Sequence, residues 1–147
     1  MNRSTCRVMV GVAGSWTPIE LSPEHAPPAG AFSPAVEAAG LVFVSGQVPR
    51  DPVSGQWVKH RPLEEQARRV FSNVALTLGA AGLELRDVAS VSVFLADISH
   101  WGAVNKIFQE YFRPPFPARA VVGAALEGFL IEVAAVAVRP RPAEARR

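Results

Sequence analysis

Residues 130–138 read LIEVAAVAV, eight apolar residues interrupted by one glutamate, Glu132. Valine and isoleucine favour extended backbone, so the segment is read as a strand. A strand apolar at both odd and even positions presents apolar side chains to both faces of its sheet, and both faces then need cover. That requirement constrains the fold more than any other feature of the chain. The sheet that holds this strand therefore needs a layer of structure on either side. At 147 residues, about half of them apolar and about a fifth charged, the chain is long enough for one domain with a real core.

Helices can supply one of the two layers. Leu63, Ala67, Val70, Phe71, Val74 and Leu78 recur at helical spacing, with Pro62 suited to the first turn and Gly82 to the end. Ser99 is read as the cap of a second helix that carries Trp101, Val104, Phe108 and Tyr111 on one side and stops before Pro114 and Pro115. Strands are predicted at 19–21, 32–36, 41–45, 88–95, 118–123 and 130–138, the second and third forming a hairpin about Gly40. PRDPVSGQW is dense in turn residues and is read as loop. The order β-β-β-α-β-α-β-β predicts an α+β domain over residues 17–140, two helices against one face of a mixed sheet. Residues 1–16 are read as an appendage and 141–147 as a basic tail. Two helices cover only one face. The other calls for a second copy of the chain, so an oligomer meeting through its sheets is predicted.

Several functions are excluded by composition. The formal net charge is +2, but much of the positive charge sits at the two ends, and the near-neutral body offers no groove for nucleic acid. One cysteine, Cys6, rules out an internal disulfide and fits a reducing, cytoplasmic setting. VMVGVAG is short for an export signal, and no stretch approaches the length of a membrane span. His25, His60 and His100 are scattered without partners at ligand spacing, so no metal site is expected. No phosphate-binding glycine loop and no nucleophile elbow appears.

Two charges stand out against this background. Arg119 heads the strand in PFPARAVVGA, and Glu132 interrupts the last strand. A guanidinium is charged at any working pH and requires a partner when it lies among aliphatic residues. One reading is a structural ion pair between Arg119 and Glu132. The other is an anion clamp beside a base: the guanidinium grips a carboxylate while Glu132 takes a proton from water. Ser45 in FVSGQ and Asn105 in AVNK would add hydrogen bonds to such a ligand. By themselves they read as a turn residue and a solvent-facing helix residue.

The stretches PPAGAFSPAV, GLVFVSGQVPRDPVSGQWV, EEQARRVFSNV, LGAAGLELRDVASVSVFLADISHWGAVNKIFQEYF, PFPARAVVG and LIEVAAVAV resemble, in order, those of the RidA/YjgF family of enamine/imine deaminases. The likeness runs over residues 19–139. It implies a chorismate-mutase-like subunit, a homotrimer with sites in clefts between subunits, and no cofactor. It implies hydrolysis of 2-imino or 2-enamino acids, such as 2-iminopropanoate and 2-iminobutanoate, to 2-oxo acids and ammonia. By the same resemblance Arg119 grips the substrate carboxylate with help from the Val121 N–H, and Glu132 orients or activates water. Ser45 and Asn105 help hold substrate or water. The chain departs from the family in carrying Phe32 where tyrosine is common and Val121 where many members have cysteine. Its loop before the last strand is about two residues shorter. Phe32 implies a preference for more apolar imino acids. Two other readings compete: a trimeric protein that binds 2-oxo or imino acids without turning them over, and an endoribonuclease. For the latter the sequence offers neither an acid–base pair nor a basic groove.

Overall fold

The strand that is apolar on both faces takes an interior place in the sheet. In the computed structural model, which describes residues 14–142, the sheet order is β1-β2-β3-β6-β4-β5. The strands are β1 (Thr17–Ile19), β2 (Ala35–Ala38), β3 (Leu41–Gln47), β4 (Val88–Leu95), β5 (Ala118–Gly123) and β6 (Ile131–Val138). Helices α1 (Leu63–Ala80) and α2 (Trp101–Tyr111) interleave with them in the predicted order. Only β4 and β5 run parallel. Most of the expected N-terminal appendage, with Cys6, and most of the C-terminal tail lie outside the described residues.

Alternation along β6 divides the sheet into two environments. Ile131, Val133, Ala135 and Ala137 are buried beneath the helices, while Glu132, Ala134, Val136 and Val138 turn to the opposite face. The whole predicted stripe of α1 is buried. In α2, Val104 and Phe108 join the core, and Phe71 meets Phe108 edge-on at 5.8 Å. Both helices pack on the same face. No helix among the described residues is long and apolar enough to cross a membrane.

Several boundaries differ from expectation, and three of the shifts have a clear local reason. β2 starts at Ala35 rather than at residue 32, because Pro34 lacks the N–H a ladder needs. β1 ends at Ile19 for the same reason: Ile19 pairs with Ala35, and the next pair would set Glu20 against Pro34. Asp97, not Ser99, opens the second helical segment. Its Oδ1 accepts the Ser99 N–H at 2.9 Å and starts a short 3₁₀ turn (Ile98–His100) that runs into α2. Trp101 is 45% exposed and so leaves the apolar stripe it was assigned to. The β2–β3 hairpin is as predicted, turning through Ala39 and Gly40, both at positive φ.

Two buried amides of α1 hold the loops around one end of the sheet. Gln66 donates from Nε2 to the carbonyls of Lys59 (3.0 Å) and Arg61 (2.7 Å), and its Oε1 accepts the Leu130 N–H at 2.9 Å. Asn73 donates to the carbonyls of Val48 and Arg50. Gln66→Leu would leave three backbone groups without partners. Urea denaturation at fixed protein concentration should register a loss of about 3 kcal/mol. A loss under about 0.5 kcal/mol would mean that water replaces the amide at no cost.

Candidate active site

The pairing of β3 with β6 slips near its end. Val44 faces Ala135 and Gln47 faces Val133, so three steps on β3 match two on β6. The extra residue is a bulge at Ser45 and Gly46, a device that re-aims side chains beside functional sites. Gly46 lets the Glu132 carboxylate lie against the bulge, since a Cβ at this position would push that carboxylate aside. The expected strand end at residue 45 is therefore a bulge within a strand that continues to Gln47.

Around this bulge lies a hollow of about 490 Å³, lined by Phe32, Ser45, Gly46, Val48, Trp57, Phe129 and Glu132 among others. Ser45 Oγ donates to the Ser33 carbonyl at 2.6 Å, which holds the loop carrying Phe32 against the sheet. Phe32 is 51% exposed and borders the hollow. Glu132 is half-buried, and desolvation pushes its carboxyl above the ordinary 4.5 of a glutamate.

Arg119 is built into a different place. It lies on β5, the edge strand, paired with Val91 of β4. Its Nη2 donates to Asn105 Oδ1 at 2.9 Å, and the guanidinium lies 4.6 Å from the Phe108 ring centroid and 5.3 Å from that of Trp101. Asn105 thus faces Arg119 rather than solvent, and orients it. A neutral amide and two rings leave the cation without a counter-charge: among the described residues Arg119 forms no ion pair.

The structural ion pair between Arg119 and Glu132 is overturned. β4 is inserted between β5 and β6, so the short loop that joins those two strands does not make them neighbours. The registers also put the two residues on opposite faces. Arg119 shares a row with Val91 and Ala135 on the helix side, whereas Glu132 shares one with Phe94 and Val122 on the open side. One chain brings Phe32, Ser45 and Glu132 together. Arg119, Asn105 and Val121 stand apart from them. Val121 lies on the edge strand, where alternate backbone groups have no partner strand within the chain. Trp57 and Phe129 were missed by sequence reasoning, as were the amides behind them. They carry no periodic signal, and Trp57 sits in a loop whose glycines and prolines say only "turn".

The comparisons decide the family. Residues 23–139 match the sequence profile of the family described as Endoribonuclease L-PSP. The chain belongs to the RidA/YjgF family. A Rattus norvegicus protein named 2-iminobutanoate/2-iminopropanoate deaminase is 42% identical over 122 residues, 81% of this chain and 88% of the rat protein. A RutC family protein of Pyrococcus horikoshii is 38% identical over 119 residues, 79% of this chain and 94% of its own. Among solved structures, a protein of the conserved Rid family from Yersinia pestis superposes with a TM-score of 0.76 at 32% identity, covering 84% of this chain and 98% of that one. E. coli TdcF with bound serine gives 0.73 at 28% identity, with 82% and 98% covered. The RidA-type subunit, two helices on a mixed six-stranded sheet, is thus shared across bacterial relatives.

Proposed function

We propose that this RidA-family protein hydrolyses 2-imino acids, and their 2-enamino tautomers, to 2-oxo acids and ammonia. The observation that carries the reading is Glu132: a half-buried carboxylate with a raised pKa, in an otherwise largely apolar hollow kept open by a glycine bulge. The deaminase names of relatives near 40% identity support it, as does a serine-bound relative, since serine shares the carboxylate and the C2–N bond of a 2-imino acid. As water oxygen bonds to C2 of the imine, Glu132 takes a proton from it and the C2=N bond becomes single. The nitrogen is protonated, the C2–N bond breaks, and ammonia leaves as the remaining hydroxyl becomes the C2 carbonyl. Imine and water give 2-oxo acid and ammonia, a balance that needs no oxidant, reductant or cofactor.

Arg119, aimed by Asn105, grips the substrate carboxylate through paired hydrogen bonds, with the Val121 N–H beside it. Ser45 has its hydroxyl proton committed to Ser33, and serves through its lone pairs and by holding Phe32. Since Arg119 and Glu132 occupy opposite faces, the working cleft takes Arg119 from one copy and Glu132 from the next, in a homotrimer. The open face favours such an assembly: Phe43 is 41% exposed, and Phe94, Val122, Val136 and Val138 extend the apolar surface. Phe43→Glu should therefore release single chains of 15.7 kDa in light scattering at micromolar concentration, and lose activity with the assembly. A wild-type mass of one chain would sink this arrangement.

Imines made in situ by an amino-acid oxidase, with semicarbazide as the competing trap, test the activity. Faster hydrolysis with protein present is the expected result. Oligomeric protein that accelerates none of several imines would shift the reading to a binding protein. RNA cleavage, which the family description mentions, finds little support in the hollow, whose lining includes no histidine or lysine to pair with Glu132.

A further inference from the structure

One wall of the Glu132 hollow is aromatic. Trp57 and Phe129 lie with ring centroids 5.4 Å apart at a 32° tilt, and Lys59 Nζ sits 4.3 Å from the Trp57 centroid and 5.6 Å from that of Phe129. Lys59 also donates to the Glu127 carbonyl at 2.7 Å, which ties the loop of Trp57 to the loop before β6. Gln66 repeats the tie from below, holding the Lys59 carbonyl and the Leu130 N–H. Trp57 is bridged to Arg50 as well. A tryptophan in a loop is thus fixed on several sides and still 37% exposed. Burial alone does not account for that, since the fixed ring keeps an apolar surface open toward the hollow.

The lining differs from one side to the other. Ser45 and Glu132 supply polar groups on the sheet, while Val48, Leu126, Trp57 and Phe129 supply the larger apolar surfaces, with Glu127 on the loop between Leu126 and Phe129. A 2-imino acid has the matching polarity, with its carboxylate and C=N at one end and its side chain at the other. A hollow of about 490 Å³ falls in the range that accepts drug-sized ligands, well beyond what a three-carbon imino acid fills. Two carboxylates, Glu127 and Glu132, line it, and the one ammonium at its aromatic wall, Lys59, is tied to the Glu127 carbonyl.

We propose that Trp57 and Phe129, clamped by Lys59 and Gln66, form the side-chain subsite of this hollow and select 2-imino acids with large apolar or aromatic side chains. This rests on the imine-hydrolysis reading above and names its substrate class. Trp57 is a specificity-determining residue, and Lys59 and Gln66 position it.

The test compares kcat/KM for the imines of leucine and phenylalanine with that for the imine of alanine. All are made in situ by D- or L-amino-acid oxidases, which deliver the same species because C2 of the imine is planar. Wild type should prefer the two larger imines. Trp57→Ala should lower kcat/KM for them by roughly tenfold or more relative to that for the alanine imine, chiefly through KM. Trp57→Phe should keep most of the preference. Should Trp57→Ala fail to fold, Trp57→Leu and Phe129→Leu put the same question more gently. A wild type that prefers the alanine imine overturns the proposal, as does a Trp57 variant that slows all imines equally, since Trp57 would then be a structural prop. A wild type inactive on every imine overturns the deaminase reading, and this subsite with it.

Discussion

Arg119→Ala is expected to lower kcat/KM for 2-iminopropanoate by roughly 30- to 1,000-fold while leaving the fold intact. The size follows from what the guanidinium does in the proposed reaction. It fixes the carboxylate, and with it the angle at which C2 meets water, and it offsets negative charge next to the attacked carbon. The second half of the expectation follows from its surroundings. Arg119 leans on Phe108 and Trp101 and bonds one neutral amide, so no carboxylate is stranded when it is removed. Asn105 loses a donor but is only partly buried, and water can replace it. Arg119→Lys keeps the charge and loses the paired geometry, and its activity should fall between the two. The trap assay and a thermal melt, run on the same preparations, separate the outcomes. Unchanged turnover would remove Arg119 from the site. A collapsed melt would return it to a structural role.

What the sequence discloses about this protein is mostly what repeats along it. The apolar run of β6 called for cover on both faces of its sheet, and the helices supply one of them over Ile131, Val133, Ala135 and Ala137. The 3.6-residue stripe of α1 foretold a buried face, and all six of its residues are buried. Pairing across a sheet leaves a weaker trace. Arg119 and Glu132 look adjacent because a short loop separates their strands, yet β4 intervenes and the registers turn them to opposite faces. The S-G-Q stretch reads as a turn because serine and glycine are turn residues. Its real role, a bulge beside Glu132, depends on a partner strand some ninety residues away. Gln66 and Asn73 were invisible for a related reason: a polar residue on a helix looks solvated until the loops it holds are known. The resemblance to RidA proteins supplied the candidate residues, but opposite faces for Arg119 and Glu132 come from the sheet.

Glu132→Gln should reduce turnover by on the order of 100-fold or more while sparing ligand binding, since the amide keeps the shape but cannot take a proton from water. A pure binding protein would show no turnover even as wild type and would keep its binding in the variant. In the proposed reaction the working form is the carboxylate, and burial raises its pKa above 4.5. Activity should therefore be present at neutral pH and fall as pH drops through that raised value, earlier than for an ordinary glutamate; Glu132→Gln should abolish this acid limb. The two inactive variants together also test the assembly. If each cleft takes Arg119 from one copy and Glu132 from the next, every trimer mixing Arg119→Ala with Glu132→Gln chains contains one cleft with both native residues. Random exchange at equal amounts makes about three quarters of trimers mixed, so about a quarter of wild-type activity should return. If both residues served the same chain, no mixture would regain any, because each chain lacks one of them. Recovery would follow directly from the opposite faces of Arg119 and Glu132. Its absence, with exchange shown by mass, would mean that the clamp for Glu132 is some group other than a neighbour's Arg119.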